Sequence, residues 1–167
     1  MNMLMDLITN RIFVATAAAW LVAQVLKVII DAAKNGFSAE RLTGSGGMPS
    51  SHSATVTGLV VSTAIVEGLG GFPFVMALFF AIIVIYDAAG VRMETGREAQ
   101  LLNRLLERDK AEGREPLYEG NLREKMGHTI PEIIVGMILG AVVAVIVCSI
   151  MQGLIAYGCQ ILSMTKI

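Results

Sequence analysis

The chain has 167 residues, 54% of them apolar and 16% charged, with a formal net charge of −1 and a mean hydropathy of +0.66. A near-neutral charge excludes an electrostatic nucleic-acid partner, and so apolar a composition excludes an ordinary water-soluble domain. The length suits one membrane-embedded domain, residues 1–167, and neither an internal repeat nor a low-complexity tract divides it.

The first apolar segment runs from about Ile12 to Ile30, with Gln24 and Lys27 near its end. No basic cluster precedes it, its first charge is Asp6, and the apolar run passes Ala17-Ala18-Ala19 unbroken, so it reads as a retained span and not a cleaved signal peptide. Lys27 lies about one turn inside that span. An ammonium there either snorkels to the interface or meets an anion, and the sequence leaves both readings open. The second segment, about Ser53 to Val66, is the weakest, being short and rich in Ser, Thr and Gly. The third runs from about Phe72 to Ala89.

Residues 91–130 then form a polar connection in which Glu98 to Glu112 predicts an amphipathic helix. Leu101, Leu102, Leu105 and Leu106 share one face, Arg104, Arg108 and Glu112 lie away from it, and Gly113 supplies a stop. The expectation is a solvated helix packed on the membrane-facing side of the domain; the alternative is a subunit contact that makes a homo-oligomer. The fourth apolar segment starts near Pro131 and continues at least to Met151. No charged residue occurs from Ile133 to Thr165, a stretch longer than the roughly 20 residues a spanning helix needs. Gly153 and Gly158 leave room for a kink, a re-entrant turn or a fifth short helix. On one helix Cys148 and Cys159 would stand roughly 16 Å apart, too far for a disulfide.

If the spans alternate, the Asp31–His52 and 91–130 connections share one side of the membrane. That side holds Lys34, Arg41, Arg92, Arg97, Arg104, Arg108, Lys110, Arg114, Arg123 and Lys125, against Arg11 and Lys166 on the other. The positive-inside rule makes it the cytoplasmic side of the cell membrane. The expected fold is therefore all-α: a polytopic bundle of four to five transmembrane helices, packed through small residues such as Gly136 and Gly140, with any site at the cytoplasmic helix ends.

The two histidines both stand at the start of an apolar segment on that side. One lies in Gly46-Gly47-Met48-Pro49-Ser50-Ser51-His52-Ser53-Ala54, the other in Gly127-His128-Thr129-Ile130-Pro131-Glu132. Helix N-termini present unpaired N–H groups and a dipole that favours anions, and a glycine-rich turn feeding one is a ready phosphate cradle. Each piece also has a plain structural reading. The glycines and serines make a turn and an N-cap, and Thr129 with Glu132 makes a capping box. The convergence of both histidines, the glycine turn and most of the basic residues on one face favours a phosphate site.

These segments, with Tyr86-Asp87-Ala88-Ala89-Gly90-Val91-Arg92 between them, resemble the type 2 phosphatidic acid phosphatase and vanadium haloperoxidase superfamily, especially its divergent small membrane branch. Pro49-Ser50-Ser51-His52 is similar to the Pro-Ser-Gly-His turn, with Ser51 in place of glycine. His128 followed by Glu132 is similar to the final histidine and its acid, with Glu for the usual Asp. The pattern's Arg-Pro after the lysine is absent, Lys34-Asn35 taking its place and Arg41 being the nearest arginine. The arginine that should precede the final histidine is displaced, leaving Arg123, Lys125 or Arg92.

The resemblance implies an integral-membrane phosphatase acting on a lipid phosphate or pyrophosphate through a phosphohistidine. His128 would be the nucleophile, Glu132 its orienting acid and His52 the general acid and base. Lys27, Arg41, Arg92 and the amides near Ser50 and Ser51 would form the phosphate clamp, with Asp87 pairing a cation or organising the site. No cofactor is implied. No dedicated metal cluster is legible, although Asp87 and Glu94 could hold a divalent ion through phosphate. The rivals are a membrane protein that binds an anionic lipid or partner in the same pocket without hydrolysis, and a transporter using Lys27 and Asp87 as intramembrane charges. A topology reporter fused within the Arg97–Lys125 loop is expected to report the cytoplasm; an external signal would overturn the assignment of sides.

Overall fold

A computed structural model of the protein describes residues 3–36, 47–115, 118, 120–124 and 126–164. Its elements are α1 (Met3–Thr9), α2 (Arg11–Asn35), α3 (Ser51–Glu67), α4 (Phe72–Tyr86), a π-helical turn (Asp87–Val91), α5 (Arg92–Ala111) and α6 (Ile130–Met164), with no strand among the described residues. Arg11–Ala33, Phe72–Ala111 and Ile130–Tyr157 are each long and apolar enough to cross a membrane. The chain is a helical membrane bundle.

The packing is that of a protein whose solvent is lipid. Large side chains such as Phe79, Ile83, Ile138 and Leu154 point outward, while Ala15, Ala19, Ala23, Ala54, Ala144 and Cys148 make up the interior. Helices in lipid gain little from burying apolar area against each other, so close backbone contact through small residues decides their association. Ala15, Ala19 and Ala23 recur every four residues and give α2 one flat face. A Cβ on Gly58 of α3 would stand 2.8 Å from the Ala19 side chain. On α6, a Cβ on Gly136 or Gly140 would collide with the carbonyl oxygens of Ser50 and Ala54.

The second apolar segment reads as weak because it is the central helix. α3 packs on α2, α4 and α6, so its Ser, Thr and Gly residues face protein rather than lipid. Its hydroxyls close onto its own carbonyls: Thr55 Oγ1 donates to Ser51 O and Thr63 Oγ1 to Leu59 O, both at 2.7 Å. At 17 residues α3 is about 26 Å long, near the lower limit for a span.

Two connections differ from expectation. The third apolar segment does not stop at Ala89: α4 runs through the π turn into α5, which begins at Arg92 rather than Glu98. The leucine face of α5 does not pack on the rest of the chain, for Leu101, Leu102 and Leu105 are 60%, 49% and 45% exposed. What α5 buries is Gly96, Ala99 and Asn103, against Leu122, Glu124 and Met126 of the returning chain. Backbone groups of those residues make the contact, so their seat is of small and amide side chains instead of leucines. At the other end, Gly153 and Gly158 do not divide α6, which runs continuously to Met164.

Gly140→Leu is expected to destabilise the bundle by at least about 1–3 kcal/mol, the usual cost of overpacking. Gly153→Leu, where a Cβ meets nothing within 4 Å, serves as the control. Thermal unfolding midpoints in detergent test this; equal midpoints for the two variants would remove the close α3–α6 contact as a determinant of the fold.

Candidate active site

Four pieces of backbone meet at one end of the bundle: the last turns of α2, the first turn of α3, the π turn after α4, and the approach to α6. The last three are held by bonds that their own sequences make available. Ser50 caps α3, its Oγ accepting from Ser53 N–H at 3.3 Å and from Ser53 Oγ at 3.0 Å. Its own N–H donates to the carbonyl of Glu132 at 3.1 Å, tying the start of α3 to the first turn of α6. Ser50 is fully buried, with its hydroxyl and its amide both bonded within the chain. The amides of Ser51 and His52 lie in the first turn, where no intrahelical acceptor exists.

Gly47 takes φ +93°, a conformation that favours glycine, and Lys27 Cε passes 3.5 Å from where a Cβ would stand. The Lys27 side chain therefore runs along the glycine turn toward the histidines.

The π turn has two consequences. Widening the helix brings residues five apart together, and Arg92 Nε donates to Asp87 Oδ2 at 2.6 Å. It also frees the Ala88 carbonyl, which accepts from His128 N–H at 3.1 Å. The sequence marks the stretch from Tyr86 to Arg92 as a whole but not the π turn or the role of the Ala88 carbonyl; the Asp87/Arg92 spacing of five is the one signal that marks the turn.

His128 precedes α6 and is 6% exposed, whereas His52 is exposed. Their ring centroids are 6.3 Å apart at an interplanar angle of 60°. Glu132 Oε2 lies 3.3 Å from His128 Nδ1 and accepts from Thr129 N–H at 3.0 Å. The capping-box reading and the orienting reading of Glu132 thus hold together, through one oxygen. A carboxylate can only accept, so it favours the tautomer with the proton on Nδ1 and leaves the Nε2 lone pair free.

Burial holds the His128 imidazole below its ordinary value of 6.5; Glu132 opposes this, while Lys27 and Arg92 add to it. Both cations act electrostatically on His52 as well. The end of the bundle therefore offers a neutral nucleophilic nitrogen, a second imidazole facing it, and two positive charges.

Other residues are not gathered here. Arg41 and Lys125 lie outside the described residues. Arg123 is exposed on the segment returning along α5. Glu94 is engaged by Arg97 at 2.5 Å and Asp87 by Arg92, so each carboxylate has its own arginine. Among the described residues no group of three His, Cys, Asp or Glu side chains could hold a metal ion.

Comparison with known proteins gives a consistent outline. A family model described as the Divergent PAP2 family matches residues 8–143. The uncharacterized membrane protein YuiD of Bacillus subtilis (strain 168) is 33% identical over 152 residues, covering 85% of this chain and 96% of its own. No solved structure matches.

His128 is neutral in the folded protein below the pH at which it protonates in the unfolded chain. Its contribution to stability is present above pH 6.5 and is lost as pH falls from there through the depressed folded value. Glu132→Gln removes an influence that raises the His128 pKa, so the variant should titrate at still lower pH. NMR titration of the two histidines measures this; an unchanged or higher His128 midpoint would contradict the Glu132 contact.

Proposed function

The chain belongs to the Divergent PAP2 family, and from that membership together with the facing histidines we propose that it is an integral-membrane phosphatase acting on a lipid phosphate or pyrophosphate. The observation that carries the proposal is the histidine pair. One ring is buried and oriented by Glu132, and the other is exposed 6.3 Å away at a helix N-terminus.

In this reading His128 Nε2 attacks phosphorus and forms an N–P bond while the bond to the leaving oxygen breaks. His52, protonated, gives its proton to that oxygen. The imidazole of His128, now positive, is stabilised by Glu132, which keeps the Nδ1 proton in place. His52, now neutral, takes a proton from water, which attacks the phosphohistidine, releases inorganic phosphate and restores both histidines. Lys27, Arg92 and the amides of Ser51 and His52 offset the charge on the equatorial oxygens. Asp87 fixes the Arg92 guanidinium through Nε, which leaves its terminal nitrogens to meet phosphate.

The bundle suits a lipid substrate because the site lies at the ends of apolar helices, where a headgroup can enter while its tail stays in the bilayer. The basic loops beside the site support a cytoplasmic face of the cell membrane for it. One observation favours a second reading, in which the pocket binds an anionic headgroup without cleaving it. Arg123, a candidate for the family's arginine before the final histidine, is exposed on the return segment.

Phosphate release by the purified, detergent-solubilised protein, measured with phosphatidate, polyprenyl phosphate and polyprenyl pyrophosphate, decides between them. His128→Ala should abolish release, His52→Ala should lower it by about 10²–10⁴-fold, and Arg92→Ala by about 10²-fold. Release that ignores His128 would overturn the mechanism, and no release from any substrate would favour the binding protein.

A further inference from the structure

α5 is the most polar of the long helices, yet Asn103 in its middle is 5% exposed. Its carboxamide is fully occupied by the segment returning toward α6. Oδ1 accepts from Leu122 N–H at 2.8 Å; Nδ2 donates to the Leu122 carbonyl at 2.9 Å and to Glu124 Oε1 at 2.7 Å. Only one orientation of the amide fits, because the N–H needs the oxygen and the two acceptors need the nitrogen. Asparagine thus supplies the donor and acceptor that a neighbouring strand would give to this stretch of backbone.

Two glycines complete the seat. A Cβ on Gly96 would stand 3.4 Å from Met126 N and 2.5 Å from Glu124 O, so only glycine lets the segment lie on α5 here. Gly127, at φ +80°, crosses the start of α5, where a Cβ would stand 2.8 Å from Met93 N. The next residue is His128, whose N–H reaches the Ala88 carbonyl.

His128 precedes α6, so no helical bond of its own fixes it. Its place is set by its own bonds, N–H to the Ala88 carbonyl and Nδ1 to Glu132, and by what holds the residues leading to it. Those residues meet α5 at three successive points: Leu122 and Glu124 on Asn103, Glu124 and Met126 against Gly96, and Gly127 against Met93. Release at the first two loosens the approach to the third, which adjoins His128. We propose that Asn103 is a positioning residue for His128, acting through Leu122, Glu124, Met126 and Gly127, which it helps to pin to α5.

The inference rests on the phosphatase reading for its effect on turnover, but not for its effect on the histidine. The groups around His128 are Lys27 from α2, His52 from α3, Asp87 and Arg92 at the π turn, and Glu132 on α6. None of them is on the pinned segment. Loosening the pin therefore lessens the burial of His128 without removing any of those charges.

The test uses the full chain in detergent, with labelled histidines titrated by NMR and assigned with the His52→Ala variant. Asn103→Leu removes the pin, and Gly96→Ala pushes the same segment off α5 without touching Asn103. In both, the His128 midpoint is expected to move up toward its ordinary value. Turnover of whichever lipid phosphate the wild type hydrolyses should fall about tenfold or more, with KM changed less than about threefold. A residue that merely aided folding would reduce the amount of folded protein and leave the titration of the remainder unchanged. A His128 midpoint identical to wild type in a folded variant overturns the proposal, and Gly96→Ala decides if Asn103→Leu does not fold. A wild type that releases no phosphate defeats the proposed function instead, and the titration still judges the pin.

Discussion

In a bilayer, helices are not driven together by water, so the approach of one backbone to another must be permitted atom by atom. Here that approach is α3 against α6. Gly136 and Gly140 let the carbonyl oxygens of Ser50 and Ala54 come against the α6 backbone, and the amide of Ser50 bonds the carbonyl of Glu132. Everything at the site is measured from this contact. It sets two helix N-termini side by side, and each N-terminus carries one histidine. Had α6 carried side chains at those two positions, the helices would stand farther apart and the Ser50–Glu132 bond could not form.

The second support is the π turn. A regular helix from Phe72 to Ala111 would use the Ala88 carbonyl internally. The wider turn releases it to His128 and places Arg92 over Asp87 in one step. Local departure from the regular helix thereby holds the His128 backbone and orients the Arg92 guanidinium, two things the proposed phosphate site needs. Asn103 and Gly96 hold the far end of the residues leading to His128. In the proposed function the polar connection is thus an extension of the site.

Charge is distributed with the same economy. Lys27, Arg92, His52 and His128 converge at one end, where Asp87 is bonded to Arg92 and Glu132 to both His128 and the Thr129 amide. Burial, aided by the two cations, disfavours protonation of His128. In the proposed function the same arrangement keeps the attacking nitrogen neutral and attracts the anionic substrate. The membership of the Divergent PAP2 family accords with it.

Much of this was legible in the sequence. Four apolar stretches and the lack of charge after Ile133 require a helical membrane protein, since backbone polar groups in lipid must be satisfied within the helix. The Gly136/Gly140 spacing marks a packing face, and the positions of His52 and His128 before apolar runs mark them as N-terminal residues. Periodicity misdirected the reading of α5, because four leucines on one face outweigh the Gly96, Ala99 and Asn103 face that is buried. It also stopped the third segment at Ala89, since a π turn leaves no pattern in side-chain polarity. Sequence by itself determined the class of fold and the residues available for chemistry, because hydropathy and helix-end composition are local properties. Only the tertiary structure decided that the histidines face each other, that the Ser50 amide bonds the carbonyl of Glu132 and that Asn103 reaches the residues leading to His128. Those relations join residues distant in the chain, and close backbone contacts between separate elements set them.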